Sequence, residues 1–228
     1  MKDNIIGRKE QISKLEKYLA SGKSEFVAIY GRRRVGKTFL VKELFEGRFT
    51  FRMTGKENAN TKEQLENFHY ALNNYTANNE KPETWIQAFH QLEAFIEHEA
   101  EEGPKILFFD ELPWFDTRGS KFVSALEHFW NDWAAYRNDI KLIVCGSATT
   151  WMLNKVINSK GGLHNRATHT MLLSPFTLGE TEQYFKSQGF LYERQEIIES
   201  YMAVGGVAYY LSLFEHDKSV TQNIESLC

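Results

Sequence analysis

Several features are scarce or missing from the 228 residues. Only two cysteines occur, Cys145 and Cys228. Two thiols so far apart give no disulfide framework and fit a reducing compartment. There is no excess of basic charge: 27 Lys and Arg stand against 30 Asp and Glu, a formal net charge of −3. The surface as a whole is therefore no nucleic-acid magnet, and any such contact needs a local basic patch. No stretch approaches the ~20 apolar residues that span a bilayer, and "MKDNIIGRKEQISKLEKYL" lacks the continuous apolar core of a signal peptide. The chain reads as cytoplasmic, with no membrane partner. The seven histidines show no H-E-x-x-H or other ligand spacing. A guanine-reading N-K-x-D is also missing, "NSKG" at Asn158 being a different string, so the base expected for any bound nucleotide is adenine. There is no internal repeat and no low-complexity tract.

What is present is 42% apolar residues, enough for a real core. Short apolar runs alternate with helix-period segments, the pattern of a parallel sheet flanked by helices. The predicted strands cover 26–30, 49–53, 106–110, 142–146 and 170–173. Predicted helices begin at Lys37 and Thr61. Two more carry Trp85, Phe89, Leu92 and Ile96, and Phe122, Leu126, Phe129 and Trp133, at helical spacing. Such aromatic stripes are better explained by core packing than by base stacking. A polar loop runs from Asn73. After Pro175 the pattern is helical only, so residues 1–175 are expected to form the sheet domain and 176–228 a compact helical lid. The last pattern sets Val220, Ile224 and Leu227 on one helical face and stops without a glycine or proline. This predicts a chain cut before its next element.

Gly31, Gly36, Lys37 and Thr38 fit G-x-x-x-x-G-K-[ST] completely. At ordinary residue frequencies a chain this long shows the pattern by accident about one time in a hundred. The context is also right: "FVAIY" reads as a strand before it, and a helix with Phe39, Leu40, Leu44 and Phe45 follows. Strand, loop and helix in that order aim backbone N–H groups and the positive end of a helix dipole at an anion. The run Gly31, Arg32, Arg33, Arg34, Val35, Gly36, Lys37, Thr38 and Phe39 is therefore the expected nucleotide-binding segment. Lys37 would reach the β- and γ-phosphates, and the Thr38 hydroxyl would ligate Mg²⁺. The three arginines lie in the variable gap. They admit contacts with phosphate, a neighbouring subunit or DNA, or a solvated turn.

Hydrolysis additionally needs a metal-ordering acid and a group that activates water. "KILFFDELPWF" places both at the end of an apolar strand: Asp110 for Mg²⁺ and Glu111 as general base. "LIVCGSATTWM" is a second such strand, whose Ser147 is expected to touch the γ-phosphate or lytic water, with Thr149 capping the next helix and Cys145 in the core. Arg166 precedes the last strand. It has two uses: contact with a γ-phosphate, in its own site or across the boundary of a homo-oligomer, or a place on the solvated surface.

With these landmarks in place, the sequence resembles the archaeal-type ATPases of prokaryotes, AAA+ relatives placed with the STAND class of signalling switches. The resemblance rests on "IIGRKEQISKLEKYL", "GRRRVGKTFLVKELF", "ILFFDELPWF", "LIVCGSATTWM", "LLSPFTLGE" and "VGGVAYYL", which together cover nearly the whole chain. It implies an α/β P-loop NTPase of ASCE type with a five-stranded parallel sheet of order 5-1-4-3-2 and a helical lid. It places Ile5, Ile6, Gly7 and Arg8 near the adenine and ribose, and has Gly205 and Gly206 open a lid helix facing the nucleotide. Ala208 departs from the family pattern, standing where proline is usual. The resemblance also implies a following winged-helix region and a C-terminal domain through which DNA or protein partners would be reached. The expected function is an ATP-hydrolysing, Mg²⁺-dependent switch. An ATP-binding module with little hydrolysis is the alternative, and a small-molecule kinase is disfavoured because no acceptor-pocket insertion interrupts the sheet domain.

Overall fold

The computed structural model describes residues 4–77, 80–98, 100–158 and 166–227. Parts of the polar loop from Asn73, most of "NSKG" and Cys228 lie outside them.

Alternation of apolar side chains along buried strands decides the architecture. β1 (Glu25–Tyr30), β2 (Phe49–Thr54), β3 (Lys105–Asp110), β4 (Ile140–Gly146) and β5 (His169–Leu172) form one sheet of order β2-β3-β4-β1-β5, with every pair parallel. Read from its other edge this is 5-1-4-3-2. β1 runs in register with β4 from Glu25 opposite Lys141 to Tyr30 opposite Gly146. Successive residues point to opposite faces. Phe26, Ala28, Leu107, Phe109, Leu142 and Val144 therefore share one core, whereas Val27, Ile29, Ile106, Phe108, Ile143 and Cys145 share the other.

The first core is closed by α3 (Thr61–Leu72), α4 (Trp85–His98) and α5 (Phe122–His128), and it is where the aromatic stripes go. The Trp85 and Phe122 rings meet edge to face with centroids 4.8 Å apart, and Phe89 stacks on Phe129 at 5.1 Å. Each such buried ring contributes roughly 1.5–3 kcal/mol. The second core is closed by α1 (Lys9–Leu19) and α2 (Lys37–Phe45). Residues 122–136 do not form the single helix that their spacing predicts. α5 gives way to a π turn, Phe129–Trp133, and a 3₁₀ turn, Ala134–Tyr136. The wider turn keeps adjacent Phe129 and Trp130 both buried. Trp133 is left half-exposed, its Nε1 donating to Glu97. A short α6 (Thr149–Met152) follows β4.

The ends at which the strands begin carry a closed polar network. Lys141, buried, donates from Nζ to the Ser21 carbonyl (2.7 Å), the Ser21 hydroxyl (2.9 Å) and the Lys23 carbonyl. Glu25, 2% exposed, accepts from Thr168 Oγ1 at 2.7 Å and lies 3.1 Å from His169 Nε2. The His169 ring in turn stacks on Tyr18.

After Pro175 come α7 (Leu178–Ser187), α8 (Arg194–Val204), α9 (Ala208–Leu211) and α10 (Val220–Leu227). Phe176, Phe185, Phe190, Ile197, Leu211 and Phe214 give them a core of their own. No helix among the described residues is long and apolar enough to cross a membrane.

Candidate functional site

The phosphate-loop motif occupies the turn from β1 into α2, and its glycines are required there. Gly31 has φ +145°, and a Cβ on it would lie 2.3 Å from the Leu173 carbonyl oxygen. Gly36, at φ +93°, is the N-cap of α2 and offers no side-chain cap, so the first-turn N–H groups are left for an anion. Arg34 takes the left-handed region at φ +71° without being glycine, a strain of roughly 1–2 kcal/mol that its contacts must offset.

Lys37 is buried and donates from Nζ to the carbonyls of Gly31 (2.9 Å) and Arg32 (3.0 Å). Burial pulls its pKa down, against the nearby negative charge of Glu111. Thr38 Oγ1 is 3.0 and 2.9 Å from the two carboxylate oxygens of Asp110. Asp110 ends β3 and is only 3% exposed, and burial raises its pKa despite the Thr38 hydrogen bond. A hydroxyl and a buried carboxylate side by side are the oxygen donors that Mg²⁺ takes.

Glu111 follows in a left-handed conformation, φ 49°. Its Oε2 accepts from the Ser147 hydroxyl at 2.8 Å and from the Ser147 N–H at 3.2 Å. Ser147 thus lies at the end of β4 as the sequence predicts, but its partner is the candidate base. Thr149 is not the cap predicted for α6: Ala148 occupies that position without a side-chain hydrogen bond, and Thr149 is the first helical residue. Cys145 is buried in β4, and burial raises its thiol pKa well above the ordinary value.

A cleft of about 710 Å³ opens beside the loop. Val35, Gly36, Lys37, Thr38, Phe39 and Glu111 belong to its lining. Phe39, predicted on the apolar face of α2, instead leaves half its surface exposed here, whereas Leu40, Leu44 and Phe45 are buried. Ile5, Ile6, Phe176, Tyr184, Ala208 and Tyr209 give the cleft apolar lining. Asn4, Ser187 and Gln188 add polar groups that sequence reasoning missed, since they belong to no motif.

Arg8 lines the same cleft and ties its walls together. Its N–H donates to Glu180 Oε1 (3.0 Å), Nη2 donates to the Val35 carbonyl (3.3 Å), and the guanidinium lies 4.6 Å from the Phe176 ring centroid. Gly7 packs on Glu180 so closely that a Cβ would lie 2.6 Å from Oε1.

Other predicted residues lie elsewhere. Gly205 ends α8 and Gly206 packs under the Phe176 carbonyl, 2.2 Å from where its Cβ would be. Neither glycine lines the cleft; they deliver Ala208 and Tyr209, which do. Arg33 turns away to Glu57, 3.2 Å from both carboxylate oxygens, and lies over Trp114. Arg32 contributes its carbonyl to Lys37 and leaves its side chain exposed. The Arg34 guanidinium goes to Tyr210 of the lid, Nη1 donating to its hydroxyl at 3.0 Å. Arg166 is exposed in the turn before β5, whose first residue pairs with Val27 near the beginning of β1. That is the opposite end of the sheet from the loop, so the chain does not bring Arg166 into its own site.

Among known proteins, the chain is similar to an uncharacterized protein of Methanocaldococcus jannaschii, 27% identical over 207 residues that make up 91% of this chain and 43% of that one. The chain thus spans less than half the length of that relative. A solved Walker-type ATPase of Pyrococcus abyssi superimposes with a TM-score of 0.72 at 18% identity, covering 98% of this chain and 71% of that one. The ORC2 protein of Aeropyrum pernix, in ADPNP–ADP complexes, gives 0.66 at 13% identity, covering 98% and 70%. At these identities the two structures establish the fold, a P-loop ATPase fold with a parallel five-stranded sheet. The model of the family described as ATPase domains predominantly from Archaea matches residues 5–214, and the chain belongs to that family.

Proposed function

We propose that the chain binds ATP with Mg²⁺ and hydrolyses it as the nucleotide-responsive part of a switch of the STAND type, residues 1–175 acting as the catalytic core and 176–228 as the lid. The observation that carries this is the meeting of Lys37, Thr38 and Glu111 in the lining of one cleft, with Asp110 hydrogen-bonded to Thr38 and to the Glu111 N–H. Adenine suits the apolar lining that includes Ile6 and Phe176, and the Aeropyrum protein's nucleotide complexes support that choice.

On this reading Lys37 exchanges the Gly31 and Arg32 carbonyls for β- and γ-phosphate oxygens, whose charge compensates a buried ammonium better than carbonyl dipoles do. Thr38 and Asp110 would hold Mg²⁺, which supplies neutralising charge to the phosphates when bound. Glu111 takes a proton from water as the oxygen–phosphorus bond forms and the bond to the bridging oxygen breaks, leaving ADP and phosphate. Ser147 holds the Glu111 carboxylate until then. Arg166, exposed and remote from its own site, would serve a neighbouring copy in a homo-oligomer. DNA or protein partners would be reached through the remainder of a longer protein.

Phosphate release and binding of a fluorescent ATP analogue, measured for wild type, Lys37→Ala and Glu111→Gln, test the proposal. Loss of analogue binding is expected for Lys37→Ala. Turnover about 100-fold lower, with binding kept, is expected for Glu111→Gln. The tie between Glu111 and Ser147 favours one second reading, an ATP-binding module with little hydrolysis. Wild type that binds the analogue yet turns over no faster than Glu111→Gln selects that reading. A light-scattering mass that does not rise with ATP removes the role of Arg166.

A further inference from the structure

The three consecutive arginines of the loop part company, and the Arg34 guanidinium rests on two tyrosines of the lid. Its Nη1 donates to the Tyr210 hydroxyl at 3.0 Å, and its guanidinium carbon lies 4.6 Å from the Tyr209 ring centroid and 5.5 Å from that of Tyr210. The contact also runs the other way, because the Tyr209 N–H donates to the Arg34 carbonyl at 3.2 Å.

The element it holds cannot hold itself. α9 is the four residues Ala208–Leu211, far below the length at which a helix is stable alone. Two left-handed glycines, Gly205 and Gly206, precede it. Leu211 anchors its inner side in the lid core, and the tyrosines on its outer side rest on Arg34. Ala208 and Tyr209 of this helix form part of the cleft wall. The next loop residue, Val35, is tied to the lid by a separate route, through Arg8 to Glu180 of α7.

We propose that Arg34 is a positioning residue that latches α9 onto the phosphate loop, so that the lid wall of the cleft and the loop move together and nucleotide affinity depends on the latch. The proposal rests on the nucleotide-binding reading above and not on hydrolysis. Such coupling is reciprocal: nucleotide that orders the loop also orders α9, and loosening α9 weakens nucleotide binding by the same factor.

The test combines affinity for a fluorescent ATP analogue, turnover, and hydrogen exchange of the amides in 208–211, in Tyr210→Phe, Arg34→Lys, Arg34→Ala and the double variant Arg34→Ala with Tyr210→Phe. Tyr210→Phe removes one oxygen. It is expected to weaken analogue binding about threefold, to leave kcat within about twofold of wild type, and to speed exchange at 208–211. Arg34→Ala is expected to weaken binding about tenfold, Arg34→Lys less, because lysine keeps a charge over the rings but loses the planar fork. The double variant is expected to be no worse than Arg34→Ala, since both substitutions break one interaction. Additive effects overturn the proposal. So does unchanged exchange at 208–211 alongside weakened binding, which would make Arg34 a phosphate contact instead, or a loss in kcat at constant affinity, which would make it a contact of the transition state. Exchange in the nucleotide-free protein reads the latch directly, so failure of wild type to bind the analogue would sink the nucleotide reading separately. Fast, unprotected exchange at 208–211 in wild type would sink the latch.

Discussion

Where the strands begin, Glu25 is buried among the Thr168 hydroxyl, His169 and Lys23, and Lys141 is surrounded by three oxygens of the α1–β1 turn. Where the strands finish, Asp110 is equally buried with one hydroxyl and one N–H, and Lys37 has two carbonyls. Burial alone would push both carboxyl pKa values up. At Glu25 the hydrogen bonds of Thr168 and Ser21 and the charges of His169 and Lys23 outweigh it, and the group titrates lower than usual. At Asp110 burial wins and the group titrates higher. The same kind of residue therefore stabilises the fold at one end of the sheet and opposes it at the other. An end whose charges are left short of partners is one built to receive something charged, which is the physical sense in which perturbed groups cluster at functional sites.

The most severe way to break this contrast is at the site end's backbone. Gly31→Ala would drive a Cβ into the Leu173 carbonyl, and a loss of about 3 kcal/mol of stability is expected in urea unfolding, together with loss of nucleotide binding. Next comes Glu25→Gln, which keeps the shape but removes the charge that His169 and Lys23 face. About 2 kcal/mol of destabilisation is expected, with nucleotide binding unaffected. Asp110→Asn should act in the opposite direction, stabilising the nucleotide-free protein by about 1 kcal/mol while Mg²⁺-dependent nucleotide binding is lost.

The smallest effect is in the pH dependence of these differences. The raised Asp110 pKa gives a contribution that is present below the unfolded value near ~4 and lost as pH rises through the folded value. The advantage of Asp110→Asn over wild type should therefore grow from pH 4 upward. The lowered Glu25 pKa gives a contribution present above its unfolded value near ~4.3 and lost as pH falls through the folded one. The deficit of Glu25→Gln should accordingly shrink only in more acidic solution. Urea midpoints across that range separate the two, and a parallel course for both variants would erase the distinction between the ends of the sheet.

Much of this was legible in the chain because local pattern and global fold agree. Each strand predicted from an apolar run lies within a residue or two of its observed ends, and α2 begins at Lys37 as the loop motif requires. Strand order came from the family resemblance, since parallel strands of similar composition carry no mark of their neighbours. The break after His128 escaped the spacing argument, because an aromatic stripe reads the same through an α or a π turn. At the site, the residues of the loop and of β3 followed from motifs. The hold of Ser147 on Glu111 and the reach of Arg34 to Tyr210 join positions 36 and 176 residues apart, and only folding brings such pairs together.

Trp114 has a consequence of its own. It follows Glu111 by one 3₁₀ turn, its N–H donating to the Glu111 carbonyl, and its half-buried indole lies beneath the Arg33 guanidinium of the phosphate loop. Trp85 and Trp130, by contrast, are sealed in the aromatic core. The protein thus carries an intrinsic optical reporter between its loop and its candidate base, sensitive to the charge above the ring; Trp133 and Trp151 are also half-buried, so replacing those two by phenylalanine would leave Trp114 as the one partly exposed indole.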